Sequence, residues 1–165
     1  MKKRKLIITA IIVILIDLIS KLLISNLMIE YESIQIIPHF FKITYAKNIG
    51  VAFSMLEGNR LLIIIATILI ISIITKYIST KNLNSKEQLS IGLILGGAIG
   101  NLIDRVIYGY VIDFLDFKII NYNYPIFNIA DSAIVIGVII YLIINIKHES
   151  SDNNENKSKL SRKNR

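Results

Sequence analysis

The sequence predicts an all-α integral membrane protein: four transmembrane helices, a small extracytoplasmic β-sheet cradle and a short extracytoplasmic helix or lid. Three observations carry this expectation. Of 165 residues, 53% are hydrophobic and the mean hydropathy is +0.58, too apolar for a domain of this size to coat itself with polar side chains. Four apolar stretches, about residues 6–28, 61–78, 89–107 and 126–146, each approach the roughly 20 residues that a helix needs to cross a hydrocarbon core. The second and fourth are apolar nearly all round, where a helix on a soluble core would keep a polar stripe. Residues 1–148 are read as one membrane domain and 149–165 as a basic, disordered cytoplasmic tail.

The first stretch follows MKKRK and has the outline of a secretory signal, but Asp17 and Lys21 lie inside it and no small-residue cleavage site follows. It is read as a retained helix. The connection over residues 29–60 is too long for a plain linker. Its β-branched and aromatic residues alternate loosely between Pro38 and Gly50, which suggests a small sheet at the membrane surface with Phe40, Phe41 and Tyr45 near the interface. In the third stretch Gly92, Gly96 and Gly100 recur every four residues, a stripe that lets another helix approach closely. Ser85 and Gln88 offer this helix a capping box. Residues 108–125 form the second outer connection and the expected lid.

Basic residues flank both termini and fill the loop after the second span, with Lys76, Lys81 and Lys86. By the positive-inside rule both termini are cytoplasmic, and residues 29–60 and 108–125 lie outside. The net charge of +7 is then explained by topology and anionic headgroups, and no nucleic-acid partner is implied. With no cysteine in the chain, disulfides, thiolate nucleophiles and Cys-ligated metals are excluded.

This topology places the costly polar residues in one layer. Asp17 and Lys21 share a face in the outer part of the first span, and Asn48 lies in the outer loop. Asn101, Asp104 and Arg105 close the third span, Asp113 follows it, and Asn128 and Asp131 open the fourth. Ionisable groups at membrane depth mark reactive sites or pathways, because they are expensive to keep there. Two carboxylates in a partly dry site do not both ionise cheaply, so a pair can hold one proton, activate water and polarise a carbonyl without a metal or cofactor. The same groups also suit a transporter or ion relay, a hard-cation site, or polar glue in a noncatalytic scaffold.

The segments DLISK, NIGVAFS, GGAIGNLIDR, VIDF and FNIADS together closely resemble lipoprotein signal peptidase, the signal peptidase II family of bacterial membranes, in order and spacing. That resemblance implies an aspartic endopeptidase that removes signal peptides from diacylglyceryl-modified prolipoproteins, cutting just before the lipidated cysteine. It implies Asp113 and Asp131 as the catalytic dyad. Asp17, Lys21, Asn48, Gly50, Asn101, Arg105, Asn128 and Ala130 match positions that support the site or bind substrate, with Asp104 as a brace. A multi-pass protein of the bacterial cytoplasmic membrane is implied, its partners lipidated prolipoproteins and membrane lipids, and a monomer is expected. Leu18, Ile49 and Val51 depart from the commoner family residues without touching the dyad.

Overall fold

In the computed structural model, which describes residues 3–50, 58–120 and 122–163 and side chains as far as Ile146, four helices alternate with one sheet. Val51 lies outside the described residues. In chain order the elements are α1 (Arg4–Leu27), β1 (Ser33–Ile37), β2 (Phe41–Asn48), α2 (Arg60–Thr80), α3 (Ser85–Ile107), β3 (Val111–Ile119), β4 (Tyr122–Asn123) and α4 (Ile129–Lys163). Each helix contains a segment long and apolar enough to cross a membrane; in α4 this is Ile129–Ile146. The chain is a multi-pass membrane protein. Isoleucines and leucines of α1, α2 and α4 stand exposed along these segments, as hydrocarbon-facing side chains must.

The bundle is organised around α3, which packs against α1 and α4 and more lightly against α2. Its small residues make this possible. A Cβ at Gly92 would lie 2.7 Å from the Leu6 carbonyl of α1, and one at Gly97 would overlap the Ala130 carbonyl of α4. The helix is entered through a capping box one residue earlier than the sequence suggested. Asn84 is the cap: its Oδ1 accepts the N–H groups of Lys86 and Glu87, while Glu87 accepts the Asn84 N–H. Asn is as good a cap as Ser, and its partner three residues into the helix is the charged Glu87, which also complements the helix dipole better than Gln88.

The sheet is antiparallel in the order β1-β2-β3-β4. It sits at the end of the bundle where α1 and α3 finish and α2 and α4 begin, with Ile24 and Met28 from the end of α1 packed beneath it. The short helix expected near the connection of the third and fourth spans is not found among the described residues of 108–125. They form β3 and β4, and β3 is an interior strand paired on both sides. Its first four residues are all buried, because Ile112 and Phe114 pack on Met28 and Tyr45 while the alternate residues face a cavity. Tyr45, expected at the interface, lies in this buried cluster, while Phe41 stacks on Phe117 with ring centroids 4.6 Å apart. The residues expected as a disordered tail continue α4 as helix to Lys163. An already formed span supplies the nucleus, and extending it costs far less than starting a helix anew.

Candidate active site

Asp113 is set by β3 and Asp131 by the first turn of α4. Phe127 is hydrogen-bonded to β3 through its carbonyl, which accepts the N–H groups of Phe114 and Leu115 at 3.0 and 2.8 Å. This pins the chain just before α4, so the helix begins beside Asp113. Asn128 then caps it: Asn128 Oδ1 accepts the Asp131 N–H at 2.9 Å, and Asp131 Oδ2 accepts the Asn128 N–H at 3.3 Å. The reciprocal arrangement is a capping box, and it fixes the Asp131 carboxylate at the positive end of the helix dipole.

Three asparagines hold the two carboxylates. Asn128 Nδ2 donates to Asp113 Oδ1 at 2.6 Å and Asn48 Nδ2 to Asp113 Oδ2 at 2.9 Å. Asn101 Nδ2 donates to Asp131 Oδ1 at 2.7 Å. The Asn48 contact follows from strand register, since Asn48 pairs with Val111 and so lies diagonally across from Asp113. Gly50 fixes the Asn48 amide by donating its N–H to Asn48 Oδ1 at 2.9 Å. Arg105 Nη2 in turn donates to the Gly50 carbonyl at 2.8 Å.

Beneath the asparagines lies a buried ionic floor. Lys21 is 2% exposed and Asp17 is fully buried; their charged atoms are 2.7 Å apart, and Asp104 Oδ2 is 3.0 Å from the same ammonium. Asp17 Oδ1 accepts the Ala130 N–H at 2.9 Å, and Asp104 Oδ2 accepts the Ile112 N–H at 3.2 Å. The floor thus joins α1 and α3 to the start of α4 and to the residue before Asp113. Only a residue without a side chain fits above Asp17, since a Cβ at Gly100 would lie 2.7 Å from Asp17 Oδ2.

A cavity of about 960 Å³ opens over the two carboxylates. Asn48, Asn101 and Arg105 line it beside Asp113 and Asp131, and Phe117, Tyr124, Phe127 and residues 134–136 of α4 form an apolar wall. The model matching signal peptidase (SPase) II covers residues 9–147 of this chain. The chain belongs to the signal peptidase II family. It is 46% identical over 136 residues to a lipoprotein signal peptidase of Halothermothrix orenii, covering 82% of this chain and 91% of that one. It is 40% identical over 146 residues to a lipoprotein signal peptidase of Staphylococcus aureus, covering 88% and 90%. A bacterial membrane enzyme solved by the in meso method at 2.3 Å resolution superposes with a TM-score of 0.84 at 39% identity, covering 88% of this chain and 90% of that one.

For a peptidase of this family the electrostatics of the pair matter most. Burial, and then the neighbouring Asp131 charge, push the Asp113 carboxyl up from 3.8 to about 7, against the pull of the Asn48 and Asn128 amides. Near neutral pH the pair therefore holds a proton that an isolated carboxyl would have lost.

The eleven residues singled out in the sequence, from Asp17 to Asp131, fall in one connected network. Two further groups went unnoticed there. Arg60 donates through Nε to the Arg105 carbonyl at 2.8 Å and through Nη2 to the Val106 carbonyl at 2.7 Å, closing the open end of α3. Asp116 accepts from Thr44 at 2.7 Å and pairs with Lys42 at 3.0 Å, tying β2 to β3. The available signal was the second carboxylate in VIDFLDF, at a spacing that alternation puts on the opposite face from Asp113.

Proposed function

We propose that this protein is an aspartic endopeptidase that removes the signal peptide from diacylglyceryl-modified prolipoproteins, with Asp113 and Asp131 as its dyad. The observation that carries this is the pairing of two carboxylates in one cavity, tied together by the Asn128 and Asn101 amides. The ionised member takes a proton from water as the water oxygen bonds to the scissile carbonyl carbon. The protonated member donates to the carbonyl oxygen, and the C–N bond then breaks as a proton passes to the cysteine nitrogen. Titration belongs to the pair, so acid and base are roles of the dyad rather than of fixed residues.

The sheet and cavity are proposed to face the outer side of the cytoplasmic membrane, with both termini inside. The lysines at 76, 81 and 86 beside the opposite end of the bundle favour this orientation. A lipid-modified cysteine is held at headgroup depth, and a dyad at the ends of the spans suits that depth. The apolar wall by α4 suits acyl chains entering from the side, and Arg105, Asn48 and Gly50 border the peptide's path. Residues 1–148 act as one domain and as a monomer, and the tail beyond takes no part in the chemistry. An ion relay would need polar groups through the whole bundle, whereas the buried charges gather at one end.

The deciding experiment is cleavage of a synthetic diacylglyceryl prolipoprotein by purified protein in detergent, comparing wild type with Asp113→Asn and Asp131→Asn. Cleavage just before the lipidated cysteine is expected, reduced by about 10²–10⁴-fold, on the order of a lost acid–base group, in either variant. A well-folded wild type that leaves this substrate intact, or variants that still cut it, would overturn the proposal.

A further inference from the structure

The Lys21 ammonium touches neither Asp113 nor Asp131, yet its position decides how both are held. It is buried, and three acceptors surround it: Asp17 Oδ2 at 2.7 Å, Asp104 Oδ2 at 3.0 Å and Asn101 Oδ1 at 2.9 Å. An ammonium carries three protons and accepts none, so all three are used. The Asn101 amide has one acceptor end and one donor end. Turning its Nδ2 toward Lys21 would set donor against donor, so the cation forces Oδ1 inward and Nδ2 outward, onto Asp131 Oδ1 at 2.7 Å. The same Oδ1 accepts one proton of Asn128 Nδ2 at 3.1 Å, and the other proton goes to Asp113 Oδ1 at 2.6 Å.

We infer that Lys21 is a positioning residue for the reaction: through the Asn101 and Asn128 amides it fixes which atom faces each catalytic aspartate, and so the spacing at which the dyad shares its proton. This rests on the dyad reading above. The chain of contacts is short and has one consistent direction. Reversing Asn101 would give Asp131 a carbonyl oxygen in place of a donor and leave Asn128 without its acceptor. Each element around the pair contributes a defined charge or none. The ammonium comes from α1 with Asp17; Asp104 and Arg105 come from α3; β3 and α4 bring the dyad; β2 brings the neutral Asn48, its Lys47 being paired with Glu30 at 2.8 Å. Asp17 and Asp104 face the ammonium from α1 and α3, and among the described residues of this floor Lys21 is the one cation.

The test is Lys21→Met, which keeps the stem and removes the charge and donors, assayed on the diacylglyceryl prolipoprotein across pH 5–9. Expected for the folded variant are a kcat about 100-fold lower or more, on the scale of a misoriented acid–base pair, with KM nearly unchanged. The high-pH limb of the profile is expected to move upward, because a cation that favours the ionised dyad is gone. If Lys21 is only a structural ion pair, activity will follow the folded fraction and the limb will stay where it is; that result overturns the inference. Should Lys21→Met fail to fold, Lys21→Met/Asp104→Asn removes one charge of each sign and leaves the limb nearly in place; the fall in kcat is still expected, and a folded double variant with wild-type kcat overturns the inference. Activity surviving in Asp113→Asn would instead sink the dyad reading itself, whatever Lys21 does.

Discussion

Replacing Asp113 by Asn is expected to abolish cleavage and at the same time to stabilise the fold at neutral pH. Asp113 is 2% exposed, and its carboxyl is pushed from 3.8 to about 7 by burial and by Asp131. A carboxyl whose proton is held more tightly in the folded state than in the unfolded one favours folding fully at low pH. That advantage is lost as pH rises from about 4 to about 7, where the fold must either keep the proton or bear a buried charge. The interval corresponds to about 4 kcal/mol, at about 1.4 kcal/mol per pH unit. The asparagine variant lacks this slope. It carries its own constant cost of about 1–3 kcal/mol, because its NH₂ must face the donor of Asn48 or Asn128. The variant should therefore be the less stable protein near pH 4.5 and the more stable near pH 8. Apparent melting temperatures of both proteins in the same detergent, at half-unit pH steps, measure the crossing. A difference between them that is constant from pH 4.5 to 8 would refute the idea that burial of Asp113 holds its proton.

Three other outcomes follow from the geometry. The wild-type cleavage rate should fall as pH rises through about 7, by about tenfold per unit once the dyad has lost its single proton, as read from a pH–kcat profile. Gly97→Ala places a Cβ on the Ala130 carbonyl, and the displacement of α4 by about 1 Å should cost on the order of 100-fold in kcat, measured beside a folded-state control. Arg60→Ala uncovers the last carbonyls of α3 and should lower stability by about 1–3 kcal/mol in a detergent unfolding titration, with most of the folded protein's activity kept.

The spans were legible because each is a long apolar run, and the site because its residues are too polar for where such runs put them. Asn101, Asp104 and Arg105 stand out at the end of α3 for that reason alone. The interior strand was not legible. VIDFLDFKI carries apolar residues at both parities, since one face packs on Met28 and Tyr45 and the other on the cavity, so the period of two that marks a half-buried strand is absent. The start of α3 was misread by one residue because LNSKEQ offers two overlapping capping boxes, and side-chain charge decides between them. Residue types in the asparagine network were visible in the chain. Which atom of each amide faces which carboxylate follows only from the ammonium beneath them.

Asn128 and Asp131 are at once the opening turn of a span and part of the reacting site, and this ties chemistry to the lipid around it. The Asp131 carboxylate moves with that turn, while Asp113 is held by β3, so a shift of α4 along its own axis changes the depth of one carboxylate against the other. Wherever bilayer thickness sets the depth at which a span begins, it also sets the spacing of this pair.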